Sequence, residues 1–305
     1  MPKYLRFLLF SFAFVLTIFF IDSCADKKKK EDETATIYVD ETVMPMMEDQ
    51  LAVFHSQRPE KINLISKTEV AILDLLKNDS TRLVVMSRTL SKGEEKRFTD
   101  KGIVPRITQI AIDGVALVAN TKAKDTVIDL QDIIDFMNGK SVATIKGLVF
   151  DNANSSTIDF LSKKASVTKV DSKNIFALKT SNDVIKYIGE NDGYIGVVGV
   201  NWMTQPMPDM LNSTSNVKVL AVKNVKSEPN STEYYKPSQS NLAEGLYPLT
   251  RKIFMLNYEG SVGLGMGFAT FVAGDIGQRI VLKSGLAPVR LALREVKVRE
   301  DIENK

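Results

Sequence analysis

The chain has 305 residues, with 40 Lys and Arg against 37 Asp and Glu, so its formal net charge at pH 7 is only +3. This balance argues against a nucleic-acid-binding protein, which needs a basic face. Because the chain has one cysteine and one histidine, it cannot form an internal disulfide, a Cys-His pair, a Ser-His-Asp triad or a histidine-rich zinc site. We therefore expect neither a metal nor a cofactor.

The N-terminus is typical of an exported protein. Two basic residues precede an apolar run over residues 7–21, and Cys24, the only cysteine, follows it. The run is shorter than the roughly 20 residues that span a membrane, so it fits a signal peptide, residues 1–23. Acylation of Cys24 would make the mature protein a membrane-anchored lipoprotein of the cell envelope, with residues 24–35 as a charged tether. Asp22 departs from the usual cleavage box, and an uncleaved anchor is the alternative.

Strand-like and helix-like segments alternate over the first part of the remaining chain. Ser66 with Glu69, and Ser91 with Glu94, have the spacing of capping boxes and predict two helix starts. An apolar run over 107–120, interrupted only at Asp113-Gly114, is long enough to carry the chain from one lobe into another. The predicted strands are 36–40, 61–65, 81–88 and 107–120, and the predicted helices are 43–59, 66–79 and 91–102.

The second part repeats the same rhythm, which is typical of an α/β fold. A helix over 129–140 should be capped by Asp129 and stopped by Gly139. Residues 224–246 are polar and read as a long loop, while 260–289 read as a glycine-rich helical stretch with an apolar tail strand. Further strands are predicted over 147–150, 194–200, 217–225 and 250–258, and a further helix over 180–193.

Three consecutive hydroxyls, Ser155, Ser156 and Thr157, stand between the predicted strand 147–150 and a helix. One hydroxyl suffices to cap a helix. Three suggest a ligand, because free N–H groups and the helix dipole attract anions to such a turn. The alternative is an N-cap with more hydroxyls than it needs.

Similar turns follow three other predicted strands: Asp40–Thr42, Ser66–Thr68 and Ser87–Thr89. Ligands of open α/β sheets bind beyond the carboxyl ends of the strands. Hydroxyls, one cation and free N–H groups at these turns would suit a small anion, although each turn alone could be only a cap.

Catalysis has few side chains available. His55 lies on the first predicted helix, where a structural role explains it best. A hydrolase that uses Ser155 or Ser156 stays open as an alternative, although no histidine base is available to it. Three lysines that could serve such a Ser-Lys pair lie near the serines in sequence: Lys146, Lys163 and Lys164.

Seven short segments, taken in order, resemble the solute-binding subunit of the phosphate ABC transporter. The segment "NSST" at 154–157 corresponds to that family's "GSGT" phosphate loop, and "YPLTRKIF" at 247–254 to its "YPLSRPLY". The resemblance covers most of residues 36–290. The other segments are "MSRTL", "DGVALVAN", "FMNGK", "YIGV" and "GQRIVLKSGLAPV".

The resemblance implies an α/β fold of the two-lobe periplasmic binding protein-like type (type II), with two hinge strands and the ligand enclosed between the lobes. We assign lobe 1 to 36–112 plus 247–305 and lobe 2 to 113–246. It also implies a non-enzymatic, extracytoplasmic protein that captures inorganic phosphate and delivers it to a membrane ABC permease. Another oxyanion such as sulfate, or a scaffold with an empty cleft, is the alternative.

The resemblance, carried over by position, and the hydroxyl-bearing turns together indicate the ligand-binding residues. The family often places an arginine just before the "GSGT" loop, where this chain has Phe150 and Asp151, so Arg88 becomes the expected partner of the ligand's charge. The main expected ligand-binding residues are Thr42, Ser87, Arg88, Asn154, Ser155, Ser156 and Thr157. Glu41, Lys67, Thr68, Asp113 and Asp151 are weaker candidates.

Overall fold

The computed structural model describes residues 34–167 and 173–290. Those from Ala35 onward belong to one compact unit. Within these residues, every helix is too short or too polar to cross a membrane. The predicted signal peptide, most of the tether and Cys24 lie outside the described residues.

The first elements alternate as the sequence predicts. A single 3₁₀ turn, Glu41–Val43, joins the first strand to the first helix. The elements are β1 (Thr34–Asp40), α1 (Met44–Gln57), β2 (Lys61–Lys67), α2 (Glu69–Lys77), β3 (Leu83–Met86), α3 (Lys92–Thr99) and β4 (Arg106–Asn120).

The rest of the chain contains more short elements than predicted. They are β5 (Val127–Asp129), α4 (Leu130–Met137), β6 (Gly147–Phe150), α5 (Ser156–Ala165), β7 (Ile175–Ala177), α6 (Ser181–Glu190), β8 (Tyr194–Gly199), α7 (Val200–Thr204), α8 (Leu211–Ser215), β9 (Val217–Val219), β10 (Ala221–Lys223), β11 (Tyr234–Tyr235), α9 (Gln239–Ala243), β12 (Thr250–Asn257), α10 (Leu264–Ala273) and α11 (Asp275–Lys283).

Strand β4 connects the two halves of the main sheet. Its first part pairs antiparallel with β12 as far as Gly114, and from Val115 onward it pairs with β8 instead. The strand order is β2-β1-β3-β12-β4-β8-β6-β7, with β9 also paired to β4, and β11-β10-β5 form a separate small sheet. We call β2, β1, β3, β12 and residues 106–114 the first sheet half, and residues 115–120, β8, β6, β7 and β9 the second sheet half.

Helices cover both faces of the first sheet half. The four residues of β3 are all buried, and they alternate between two apolar clusters. Val84 and Met86 pack with Ile72 of α2 and Phe98 of α3, whereas Leu83 and Val85 belong to the larger core that includes α1 and α10. The strand therefore reads as an unbroken apolar run, as strands buried on both faces do.

Some local predictions are confirmed. Ser91 and Glu94 form the expected capping box at the start of α3. Gly139 follows α4 with a φ of +80°, a left-handed conformation that glycine adopts without strain. The run over 107–120 is one continuous strand.

Other local predictions are wrong. Helix α2 is capped by Thr68, whose side chain accepts from the N–H of Ala71, because β2 extends through Ser66 to Lys67. Asp129 makes no side-chain capping bond, since its carboxylate binds Tyr234 and Lys223 instead.

Three longer segments also differ from their predictions. Residues 217–225 form two strands in different sheets, and 224–246 include a strand and a helix. Residues 260–289 form two helices, and the expected tail strand is a single bridge between Ala287 and Ile112.

Candidate functional site

Arg251 lies at the centre of a buried polar cluster. Its guanidinium donates from Nε to Oδ2 of Asp113 at 2.8 Å, and Nη2 is also 2.8 Å from that oxygen. Nη1 donates to Oγ of Ser156, and Nη2 donates to Oγ1 of Thr42, both at 2.8 Å. One side chain thus joins β4, β12, the turn after β1 and the start of α5.

Sheet register brings Arg251 and Asp113 together, because they face each other across the β4–β12 ladder. Both residues are almost completely buried, and a buried charge is tolerated when it is paired and hydrogen-bonded. Arg251 was not among the ligand-binding residues predicted from the sequence. The alternation along β12 places it on the same inward face as Ile253 and Met255, and an arginine on such a face indicates a buried partner.

Thr42 connects the two sheet halves. Its hydroxyl donates to Oδ1 of Asp40 at 2.8 Å, accepts from Arg251 and lies 3.3 Å from Oγ of Ser156. Its backbone carbonyl accepts from the indole N–H of Trp202 at 3.0 Å. Thr42 follows the first sheet half, whereas Ser156 and Trp202 follow strands of the second, so the cluster spans both.

The hydroxyls of the serine-rich turn have different roles. Ser155 is the N-cap of α5 and accepts from the N–H of Ile158 at 3.5 Å. Its Oγ also lies 2.8 Å from Oγ1 of Thr157, which donates to Oδ1 of Asp151 at 3.0 Å. Ser156 instead points toward Thr42 and Arg251. In this turn, Ser155 therefore caps the helix, whereas Ser156 is placed to contact a ligand.

The side chains of Asn154 and Lys67 are exposed, and Thr68 is engaged as the cap of α2. The structure does not bring these three into the Arg251 cluster through any hydrogen bond among the described residues.

Arg88 is bonded to two glutamates rather than to the hydroxyls. Nε donates to Glu69 at 3.1 Å, and Nη1 and Nη2 each donate to Glu94 at 2.9 Å. Ser87 donates to the other oxygen of Glu69 at 3.0 Å. The guanidinium that contacts the serine-rich turn is that of Arg251, which corrects the expectation that Arg88 is the best-placed cation. Arg251 also supplies the positive charge that the resembling family often places just before its phosphate loop, where this chain has Phe150 and Asp151.

Several carboxyl groups near the cluster hold their protons more tightly than usual. Burial, helped by the charges of Asp151 and Asp40, raises the pKa of Glu41 to about 7. Burial also raises the pKa of Asp151, against the hydroxyls that donate to it. For Asp113, burial raises the pKa although Arg251 acts in the opposite direction. The carboxyl groups around Arg251 therefore lose their protons at higher pH than exposed carboxyl groups do.

The cluster offers hydroxyls and one guanidinium to a ligand, which are the donors that an oxyanion requires. Within residues 34–167 and 173–290, no set of acidic, histidine or cysteine side chains is placed to hold a metal ion. Among the same residues, no lysine or histidine hydrogen-bonds to Ser155 or Ser156, so the geometry gives no support to a Ser-Lys nucleophile.

Comparison with known proteins finds relatives of this chain in two Staphylococcus species. The chain is 25% identical over 208 residues to the phosphate-binding protein PstS of Staphylococcus saprophyticus, and 26% identical over 210 residues to that of Staphylococcus epidermidis. Each match covers 63% of this chain and about 60% of the relative, so the chain spans less than two thirds of either relative's length.

Two solved structures share the fold. A candidate phosphate ABC transporter substrate-binding protein from Clostridium perfringens, with bound phosphate, superposes with a TM-score of 0.66 at 20% identity, covering 85% of this chain and all of that one. An ABC-type phosphate transport receptor from Vibrio cholerae gives 0.62 at 17% identity, covering 83% and 99%.

The predicted two-lobe, type II fold and the resemblance to phosphate-transporter solute-binding proteins are thereby confirmed. A family model described as the PBP superfamily domain matches residues 25–275, and since this is most of the chain, the protein belongs to that family.

Proposed function

We propose that this protein is a lipid-anchored binding protein that captures inorganic phosphate and delivers it to a membrane ABC permease. The observation that carries the proposal is the contact of the Arg251 guanidinium with the hydroxyls of Thr42 and Ser156, which come from opposite sheet halves. The two Staphylococcus relatives are phosphate-binding proteins, which supports phosphate as the ligand.

Capture would exchange one set of hydrogen bonds for another. Thr42, Ser156 and Arg251 now bond to one another, and an anion between them would accept the same donors while the sheet halves stay close. Entry then requires the halves to separate, and β4 and β12 are the strands about which they would turn. We place the division at the predicted limits, with 36–112 plus 247–305 as lobe 1 and 113–246 as lobe 2.

Among the residues expected from sequence, we keep Thr42, Ser156 and Thr157 as the principal ligand group and add Arg251. Ser155 acts mainly as a cap, and Asp113 holds the guanidinium in place. Ser87 and Arg88 are both hydrogen-bonded to Glu69, and they could reach a ligand only if these hydrogen bonds were broken.

Anchoring through Cys24 would keep the protein at the cell surface beside its permease. The support for it is the position of the only cysteine directly after the apolar leader. Binding without a chemical reaction fits the cluster, because it offers hydrogen-bond donors, and among the described residues neither Ser155 nor Ser156 is hydrogen-bonded to a lysine or a histidine.

Isothermal titration calorimetry of the purified full chain in detergent, against phosphate, arsenate and sulfate, tests the proposal. We expect one site per chain for phosphate and arsenate, with a dissociation constant of about 1 μM or tighter, and binding of sulfate at least about tenfold weaker. Equal affinity for sulfate, or no heat with any of the three, would contradict it.

A further inference from the structure

Asn201 is completely buried, yet neither polar atom of its side-chain amide has a hydrogen-bond partner among the residues that the structure describes. Buried polar groups in native proteins are nearly always paired, because an unpaired one has lost its bonds to water without replacement. An amide that stays unpaired in a fully closed environment therefore calls for a partner that binds there.

The amide lies beside the polar cluster. Asn201 is in the first turn of α7, directly after Gly199, which pairs with Val115 on β4 two residues beyond Asp113. A Cβ placed on Gly199 would be 2.8 Å from Oδ1 of Asn201 and 2.9 Å from the carbonyl oxygen of Thr42. The bare glycine thus leaves room for the amide next to the backbone of a cluster residue.

Trp202, the residue after Asn201, holds helix α7 in this position. Trp202 donates to the same Thr42 carbonyl at 3.0 Å, which ties α7 to the turn after β1. The Asn201 amide is held nearby without a bond of its own.

Other unpaired atoms surround the same cluster. Oδ2 of Asp40, Oε1 of Glu41 and Oδ1 of Asp113 are buried and have no hydrogen-bond partner within residues 34–167 and 173–290 either. All three are carboxylate oxygens, whereas the Asn201 amide has both a donor and an acceptor. An oxyanion that carries a proton matches this set, because its hydroxyl can donate to an acceptor while its other oxygens accept from N–H groups.

We propose that Asn201 is a ligand-binding residue that determines specificity, donating from Nδ2 to one oxygen of the bound oxyanion and accepting at Oδ1 from its hydroxyl. The inference rests on the proposed function, since the probe is inorganic phosphate. It predicts that Asn201 contributes more to the binding of phosphate, which keeps a proton near neutral pH, than to the binding of sulfate, which does not.

Asn120 provides a matched control. It is also a buried asparagine, at the end of β4, but its amide is paired: Nδ2 donates to the carbonyls of Ile188 and Gly189, and Oδ1 accepts from the N–H of Lys122. Replacing it should disturb folding and leave ligand recognition intact, which is the reverse of what we expect at Asn201.

The experiment measures phosphate and sulfate affinity by calorimetry, and Tm by thermal unfolding, on the full chain and on Asn201→Leu and Asn120→Leu. We expect Asn201→Leu to weaken phosphate binding at least tenfold, to reduce the ratio of phosphate to sulfate affinity and to leave Tm unchanged or higher. We expect Asn120→Leu to lower Tm and to keep both affinities within about twofold. Should either leucine variant fail to fold, Asn201→Ser and Asn120→Ser replace the pair, with the same direction of change.

Phosphate binding by Asn201→Leu as tight as in the wild type would overturn the inference and leave the proposed function standing, because the amide would then serve the fold or an internal water. A wild-type chain that binds none of the anions would overturn the proposed function and this inference together.

Discussion

The indole N–H of Trp202 lies 3.0 Å from the backbone carbonyl oxygen of Thr42 and donates a hydrogen bond to it. Trp202 follows β8 in the second sheet half, and Thr42 follows β1 in the first. A second polar contact, from Gln205 to Asp49 at 2.7 Å, runs between the same two parts of the molecule. Separation of the halves would break both bonds.

Trp202 should therefore report ligand capture. It is the only tryptophan of the chain, so tryptophan emission comes from this interface alone. We expect a saturable change in emission on phosphate titration, with the same midpoint as calorimetry. Trp202→Phe should abolish the change and weaken binding roughly 2- to 10-fold, the equivalent of one hydrogen bond of about 0.5–1.5 kcal/mol. Unchanged emission at saturating phosphate would place the ligand elsewhere.

Arg251→Gln should abolish phosphate binding and destabilise the fold by about 3–5 kcal/mol, because it leaves Asp113 buried without its cation. The double variant Asp113→Asn/Arg251→Gln should regain much of the stability and none of the binding. Arg88→Gln is the matched control, since its partners are Glu69 and Glu94. Chemical unfolding and calorimetry measure the two effects. A larger loss of affinity in Arg88→Gln than in Arg251→Gln would contradict our choice of cation.

Two adjacent serines should separate capping from binding. Ser155→Ala removes the N-cap of α5 and should cost about 1 kcal/mol of stability with little change in affinity. Ser156→Ala leaves the cap intact and should cost on the order of 1.5–3 kcal/mol of binding free energy, since a hydroxyl facing a charged ligand is lost. Thermal unfolding and calorimetry of both variants test the distinction, and identical profiles would refute it.

Glu41 should make stability depend on pH. Its pKa is raised from 4.5 to about 7 in the folded protein. Between these two pH values, the folded state therefore holds a proton that the unfolded state has released. The resulting stabilisation is complete below the lower value and is lost as pH rises through the higher one. In Glu41→Gln, Tm should depend less on pH between these two pKa values, and above about pH 7 its Tm should be higher than that of the wild type. Glu228→Gln, on an exposed loop, controls for charge removal, and parallel curves for Glu41→Gln and the wild type would exclude the effect.

Cys24→Ala should release the protein from membranes or block its processing, because the acylated thiol would be its anchor. Membrane fractionation and the intact mass of the protein measure the outcome. Wild-type fractionation and mass in the variant would argue for an uncleaved anchor, which needs no thiol.

Much of the architecture was predictable because its signals are local. Apolar runs predict β1 and β4, Glu94 lies three residues after Ser91 and completes its capping box, and Gly139 marks a helix end. Where local predictions were wrong, strand pairing in the tertiary structure set the ends of the helices and strands. Thr68 caps α2 in place of Ser66 because the neighbouring strand extends further, and residues 217–225 divide because β9 and β10 join different sheets.

For the site, the sequence alone predicts which side chains could bind an anion: the hydroxyls at strand ends, including Thr42 and Ser156. Which of them meet, and which cation they share, depends on the tertiary structure. Thr42 lies 114 residues from Ser156 and 209 from Arg251, and the ladder between β4 and β12 sets Arg251 opposite Asp113. No local pattern carries that information, because pairing between distant strands depends on register and on packing of the whole core.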